Sequence, residues 1–155
     1  YQKGYFRQRM TEEGRQLAIE EPFDPDSMAI RKVWGNGEEG AHASVTLDGR
    51  VVHLGVWELL IGRSSIYLMD TDIDANDPED RRLSHQLYSG DNEMRLRQEI
   101  VLGIGGVRVL RALGIRPEVW HANEGHAAFM TRDVCTIDAS GIMTYNRAAF
   151  LPGGG

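Results

Sequence analysis

Residues 87–129 read LYSGDNEMRLRQEIVLGIGGVRVLRALGIRPEVWHANEGHAAF. The run divides into a polar loop, a long helix, a tight turn, a short strand, and a second polar loop that opens another helix. Over 92–113, Leu96, Ile100, Ile104, Val107 and Leu110 recur at helical spacing, while Leu102, Val109 and Leu113 form a second apolar row. A helix of that length spans about 33 Å at 1.5 Å per residue. Apolar side chains nearly all round its later turns place it between other layers rather than on a surface. Glu93 and Arg97 stand four apart in the order that favours an ion pair. Gly114 stops the helix and Pro117 forbids an early restart. Val119 and Trp120 read as the strand. In α/β sheets ligands bind where strands end and helices begin. Gly90, Asp91 and Asn92, and the loop from His121 to His126, are therefore the two places where chemistry is expected.

The chain has 155 residues, enough for one domain with a real core, and its 41% hydrophobic and 26% charged content is ordinary for a soluble globular protein. A net charge of -6 argues against a nucleic-acid partner, because no basic excess exists to neutralise phosphates. All but Lys3 and Lys32 of its 17 cationic residues are arginine, which leaves room for a local anion pocket. Cys135 is the only cysteine, so no internal disulfide can form and a reducing, cytoplasmic setting is expected. No apolar run reaches the length of a membrane span, and no signal peptide is visible. The start at Tyr1 and the PGGG end suggest a piece of something longer.

Nearer the N-terminus, Thr11 followed by Glu12 and Glu13 suits a helix start, with Pro22 and Pro25 closing that helix. From about residue 30 the period changes. Ala43, Val45 and Leu47 alternate with polar residues, Asp48-Gly49 marks a hairpin, 51–61 makes a long second strand, and 66–69 a third after a turn at 62–64. This is an antiparallel meander, expected to attach to a parallel sheet. Residues 70–76, DTDIDAN, place oxygens as a calcium loop would, but Ala75 stands where glycine is needed and Arg81 where a closing glutamate belongs. A loop leading to Asp77 as N-cap and Pro78 at the first helical position accounts for more, with the helix running to about Tyr88.

Three further patterns carry two readings each. GIGGVR at 103–108 looks like a dinucleotide fingerprint, yet it lacks the third glycine and lies inside a helix, where small residues let a neighbouring backbone approach. His121, Glu124 and His126 could ligate a metal, but the histidines are five apart, where a helical zinc pair wants four. A ligand-contacting polar loop, or Asn123 capping the next helix, accounts for these residues better than a metal site does. Asp91 either caps the long helix or, with Gly90 and Asn92, forms a sugar- or phosphate-contacting corner at its N-terminus.

Taken together, GYFRQR at 4–9, YLMDTD at 67–72, the stretch 87–114 and HANEGHAAF at 121–129 resemble the α-glucan (glycogen or maltodextrin) phosphorylases, best in their shorter bacterial and archaeal branch. The resemblance covers residues 1–130, in the family's order and spacing. It implies an α/β fold: a partial Rossmann-like N-terminal domain of a glycosyltransferase-B architecture, carrying the β-meander as an insertion. It also implies phosphorolysis of a terminal α-1,4 bond in a glucan by inorganic phosphate, releasing α-glucose 1-phosphate. Pyridoxal phosphate, held by a lysine of a C-terminal domain absent here, supplies the family's proton partner. Gly90, Asp91 and Asn92 would then belong to a loop gating the cleft. Asn123, Glu124 and His126 would belong to a polar loop near the sugar, with Glu124 where longer members carry aspartate.

The glycine-rich segment that precedes GYFRQ in the family is missing, and neither Lys3 nor Lys32 lies in a context like the cofactor lysine's. Residues 131–155 depart from the family and are expected to be irregular, as an out-of-frame or truncated gene end would be. The chain alone is expected to be inactive. Rival readings are a non-catalytic sugar- or phosphate-binding module, a metal-dependent hydrolase built on His121, Glu124 and His126, and a fragment of a nucleotide-sugar glycosyltransferase.

Overall fold

A computed structural model describes residues 6–20, 24, 28–35, 43–85, 91–123, 125–137 and 143–145. The helix expected after Thr11 is instead a hairpin of β1 (Phe6–Met10) and β2 (Gln16–Glu20), paired antiparallel. The Thr11 hydroxyl accepts the Arg15 N–H at 3.1 Å, and Gly14 sits at φ 77°. The Thr11 hydroxyl, read with Glu12 and Glu13 as a helix start, instead closes a turn, because a hydroxyl can cap either one. β2 reads QLAIE, an apolar run of Leu17, Ala18 and Ile19 between Gln16 and Glu20, and its short length suits a strand.

The expected meander is present: β3 (Ile30–Trp34), β4 (Ala43–Leu47), β5 (Arg50–Ile61) and β6 (Ser64–Asp70). Asp48 and Gly49 both have positive φ, 50° and 79°, as a two-residue hairpin matched to strand twist requires. β5 is long enough to serve two pairings. Its first half pairs with β4, from Leu47↔Arg50 to Ala43↔Leu54, and its second half lies between β3 and β6. All pairings among the described residues are antiparallel, so the parallel portion expected for the sheet is not found there. Val52, Leu54 and Val56 point to one face and, with Val45 and Leu47 of β4, are buried against the helices. Trp34 joins this core, and its indole N–H donates to the Leu54 carbonyl at 2.7 Å. Beyond the helices, Ile61 and Ile66 on one face and Leu60 on the other are exposed.

The helix after Asp77 is shorter than expected. α1 (Pro78–Arg81) gives way to a 3₁₀ turn at Arg82–Ser84. Asp77 makes no side-chain cap and lies 3.6 Å from Arg50 instead. Asp80, placed to favour the helix dipole, is buried and accepts from Arg50 at 3.0 and 3.2 Å, tying α1 to β5.

The long helix forms, but with a joint. α2 (Asn92–Ile100) passes through one π turn (Val101–Gly105) into α3 (Gly106–Ala112). Gly114, at φ 72°, ends it as expected: its N–H reaches the Arg111 carbonyl, and the Ile115 N–H reaches back to Leu110. Its buried face differs from the expected one. Gln98, Val101 and the consecutive Gly103, Ile104 and Gly105 turn inward, while Leu96 is 46% and Leu102 40% exposed. A polar residue occupies the inward row, with Gln98 Nε2 donating to the Leu83 carbonyl at 3.0 Å, and the π turn then shifts the helical repeat by a residue.

The glycines explain how the helix fits between its neighbours. A Cβ on Gly105 would lie 2.8 Å from Leu54 Cδ1, and one on Gly103 would lie 2.7 Å from Met130 N. The sheet is on one side and the returning chain on the other, so GIGGVR is a close-packing element within a buried helix.

Val119 and Trp120 are not a strand. Residues 115–123 carry no regular structure, and Val119 is 82% exposed. Two residues beside Pro117 and Glu118 find no partner strand among the described residues to take their backbone groups. The chain continues through a 3₁₀ turn (Gly125–Ala127), α4 (Met130–Val134), and the antiparallel pair β7 (Cys135–Ile137) and β8 (Met143–Tyr145), which occupy part of the tail read as irregular. Among the described residues no helix is long and apolar enough to cross a membrane.

Candidate functional site

The first polar corner is built as a helix cap. Asp91 Oδ1 accepts from the N–H groups of Glu93 at 3.1 Å and Met94 at 3.0 Å, so its carboxylate occupies the amides that an anion would otherwise use. Asn92 is exposed beside it, and Gly90 lies outside the described residues. Arg97 anchors this corner. Its guanidinium meets Glu93 at 2.6 Å, Glu79 of α1 at 2.9 Å and Asp48 of the β4–β5 turn at 2.9 Å. The expected Glu93–Arg97 pair is thus one spoke of a junction joining α2, α1 and the hairpin.

The second corner returns to the same helix. Residues 115–123 carry the chain back from the end of α3, and the 3₁₀ turn bearing His126 packs beside α2 and the π turn; α4 then lies along the π turn and α3. His126 is half-buried, and His121 and Asn123 are exposed. Glu124 lies outside the described residues. No group of three potential metal ligands comes together among the described residues, which do not include Glu124. The first corner lies at the N-terminus of α2, and the turn bearing His126 contacts α2 and the π turn.

The acidic run 70–76 has a different role from a calcium loop. Arg81 stands where that loop would need glutamate and supplies the positive charge itself, reaching Asp72 at 2.6 Å and Asp74 at 3.1 Å. His85 adds a contact to Asp72 at 3.2 Å, and Ser84 Oγ donates to Asp70 at 2.6 Å. Sequence reading missed Ser84 and His85, since partners 13 and 14 residues away leave no periodic trace.

Burial opposes ionisation of Asp72, but hydrogen bonds from Arg81 and His85 and their charges outweigh it, holding its carboxyl below the usual aspartate range. A lowered folded value contributes stability above the unfolded value and loses it as pH falls through the folded one. Urea midpoints are therefore expected to drop as pH falls below about 4, and less steeply in Asp72→Asn. Equal slopes for both proteins would remove Asp72 from the acid response.

No family model matches the chain, and no solved structure matches it. Among curated proteins it is 40% identical over 129 residues to the maltodextrin phosphorylase of Thermococcus litoralis, an alignment covering 83% of this chain and 16% of that enzyme. It is 38% identical over 136 residues to the glycogen phosphorylase of Mycobacterium tuberculosis, covering 84% and 16% of the two chains. The chain is related to a segment of the glycogen and maltodextrin phosphorylases. A third such relative, the glycogen phosphorylase of Aquifex aeolicus, is 35% identical over 130 residues, covering 84% of this chain and 19% of that enzyme. This phosphorylase-related chain therefore spans less than a fifth of the length of each relative. Asp91, Asn92, Asn123 and His126 are the described members of the residues expected to contact sugar.

Proposed function

We propose that residues 1–130 are part of the N-terminal, Rossmann-like domain of an α-glucan phosphorylase of glycosyltransferase-B architecture, forming one wall of its sugar cleft. The observation that carries the reading is identity of 35–40% over about 84% of the chain with enzymes of those names. The whole enzyme would cleave a terminal α-1,4 glucan bond with inorganic phosphate and release glucose 1-phosphate. Asp91 would stiffen the base of a gating loop by capping α2, leaving Gly90 and Asn92 to face the cleft. Asn123, Glu124 and His126 would exchange hydrogen bonds with sugar hydroxyls, which both donate and accept.

Pyridoxal phosphate does not suit the residues described here. Lys32 Nζ lies over the Trp57 ring, 5.7 Å from its centroid, on the sheet. The cofactor and its lysine are assigned to the portion of the relatives that this chain does not match.

Two measurements test the proposal. The chain incubated with maltodextrin, phosphate and pyridoxal phosphate is expected to form no glucose 1-phosphate, and turnover would contradict the single-wall reading. The Thermococcus litoralis enzyme carrying this chain in place of its matching segment is expected to retain phosphorolysis. In that chimaera Asn123→Ala and His126→Ala should each lower kcat/KM by about 10-fold or more. Indifference to both substitutions would remove the second corner from the sugar site.

A further inference from the structure

We infer that Gly103, in the π turn, is a positioning residue for the loop that carries Asn123 and His126. Its backbone does not demand glycine, since no positive φ occurs there. The demand comes from across the interface. A Cβ at 103 would lie 2.7 Å from Met130 N, 2.9 Å from Phe129 C and 2.9 Å from Phe129 Cβ. Two of those atoms are backbone, so no rotamer change relieves the overlap, and the 125–134 segment itself must move.

The direction of that movement follows from what holds the segment. Arg108 Nε donates to Asp133 Oδ2 at 3.0 Å, Arg111 donates to the Asp133 carbonyl, and Arg108 Nη1 also donates to the Ser44 carbonyl of β4 at 2.9 Å. The C-terminal end of the segment is thereby clamped to both helix and sheet. A wedge at Phe129–Met130, with Asp133 as the pivot, throws the displacement toward Gly125–Ala127 and His126. The other glycines nearby lack this property. A Cβ on Gly106 would meet only Met69 Cε at 3.8 Å, and one on Gly125 would meet nothing within 4 Å. Any consequence for sugar binding rests on the function proposed above, whereas the positioning itself does not.

Backbone hydrogen exchange in the 155-residue chain tests the positioning. The amides of Ala128, Thr131 and Arg132 bond to the carbonyls of Gly125, Ala128 and Phe129 and report on the segment. In Gly103→Ala these amides are expected to exchange about 10-fold faster or more, with β4–β5 amides within about twofold of the parent and Gly106→Ala unchanged in both regions. Unchanged exchange at 128–132, or equal acceleration throughout the chain, would overturn the inference.

If Gly103→Ala does not fold, Asp133→Ala removes the side-chain acceptor for Arg108 and so loosens the clamp without a wedge. It is expected to accelerate exchange at 128–132 alone, and a uniform or absent response overturns the inference equally. In the chimaera, Gly103→Ala should raise KM for maltodextrin by about 10-fold while Gly106→Ala does not. If exchange changes as expected and KM does not, positioning stands and the sugar-facing assignment of the loop falls.

Discussion

Leu54→Ala is expected to lower the unfolding free energy by about 2–5 kcal/mol, toward the upper part of that range. Leu54 is 1% exposed at the middle of β5, between Val52 and Val56. Its Cδ1 occupies the space that a Cβ on Gly105 would need, so the helix backbone is already as close as it can come. Truncation opens a cavity that the helix is poorly placed to fill, because Gly103 holds the opposite side of the same turn against Phe129 and Met130. Where the surroundings cannot collapse, the cavity term adds to the lost transfer energy. Set against the roughly 5–15 kcal/mol that stabilises a typical domain, this is a large fraction. Urea unfolding should show a lower midpoint with an unchanged slope. The double variant Leu54→Ala with Gly105→Ala should be less destabilised than the sum of the singles, because the new methyl occupies part of the hole. Additivity would mean that Gly105 and Leu54 do not share one space.

Local signals predicted some elements well and missed others for identifiable reasons. The Asp48-Gly49 hairpin, the long β5 and the Gly114 stop were legible because each depends on a few adjacent residues whose chemistry has one good solution. The β1–β2 hairpin was not, because Thr11 and its acidic followers fit a helix start as well as a turn. In the long helix, period and length were readable, but Gln98 in the buried row and the π turn displaced the apolar face from where Leu96 and Leu102 implied. Val119 and Trp120 failed as a strand because two apolar residues say nothing about whether a partner exists. At the candidate site, sequence left Asp91 undecided between cap and anion site, and its two hydrogen bonds to the Glu93 and Met94 amides decide for the cap. The clamp formed by Arg108 and Asp133 spans 25 residues and was invisible to any periodicity argument.

Asn76→Ala is expected to cost about 2–4 kcal/mol, far more than a loop asparagine usually does. Asn76 is 6% exposed, and its side chain makes three hydrogen bonds of 2.8 Å: Oδ1 accepts from the His53 N–H, and Nδ2 donates to the carbonyls of His53 and Thr71. The first two have a structural meaning. β6 ends its pairing with β5 at Gly55↔Asp70, so on that edge the backbone N–H and C=O of His53, whose register partner Ser44 lies in β4, meet no further strand among the described residues. The Asn76 amide supplies one donor and one acceptor there, as the next peptide group of a longer β6 would. Truncation strands an N–H and two carbonyls in a largely buried place, and unsatisfied buried groups cost about 1–3 kcal/mol each before any relaxation. The His53 amide should then exchange much faster with solvent, and the urea midpoint should fall. The same geometry decides the fate of the acidic run. An asparagine turned inward to continue a sheet cannot also ligate an ion in the 70–76 loop, so added calcium should leave the melting temperature unchanged. A calcium-dependent rise would mean that Asn76 leaves the sheet, and the ladder argument would fall with it.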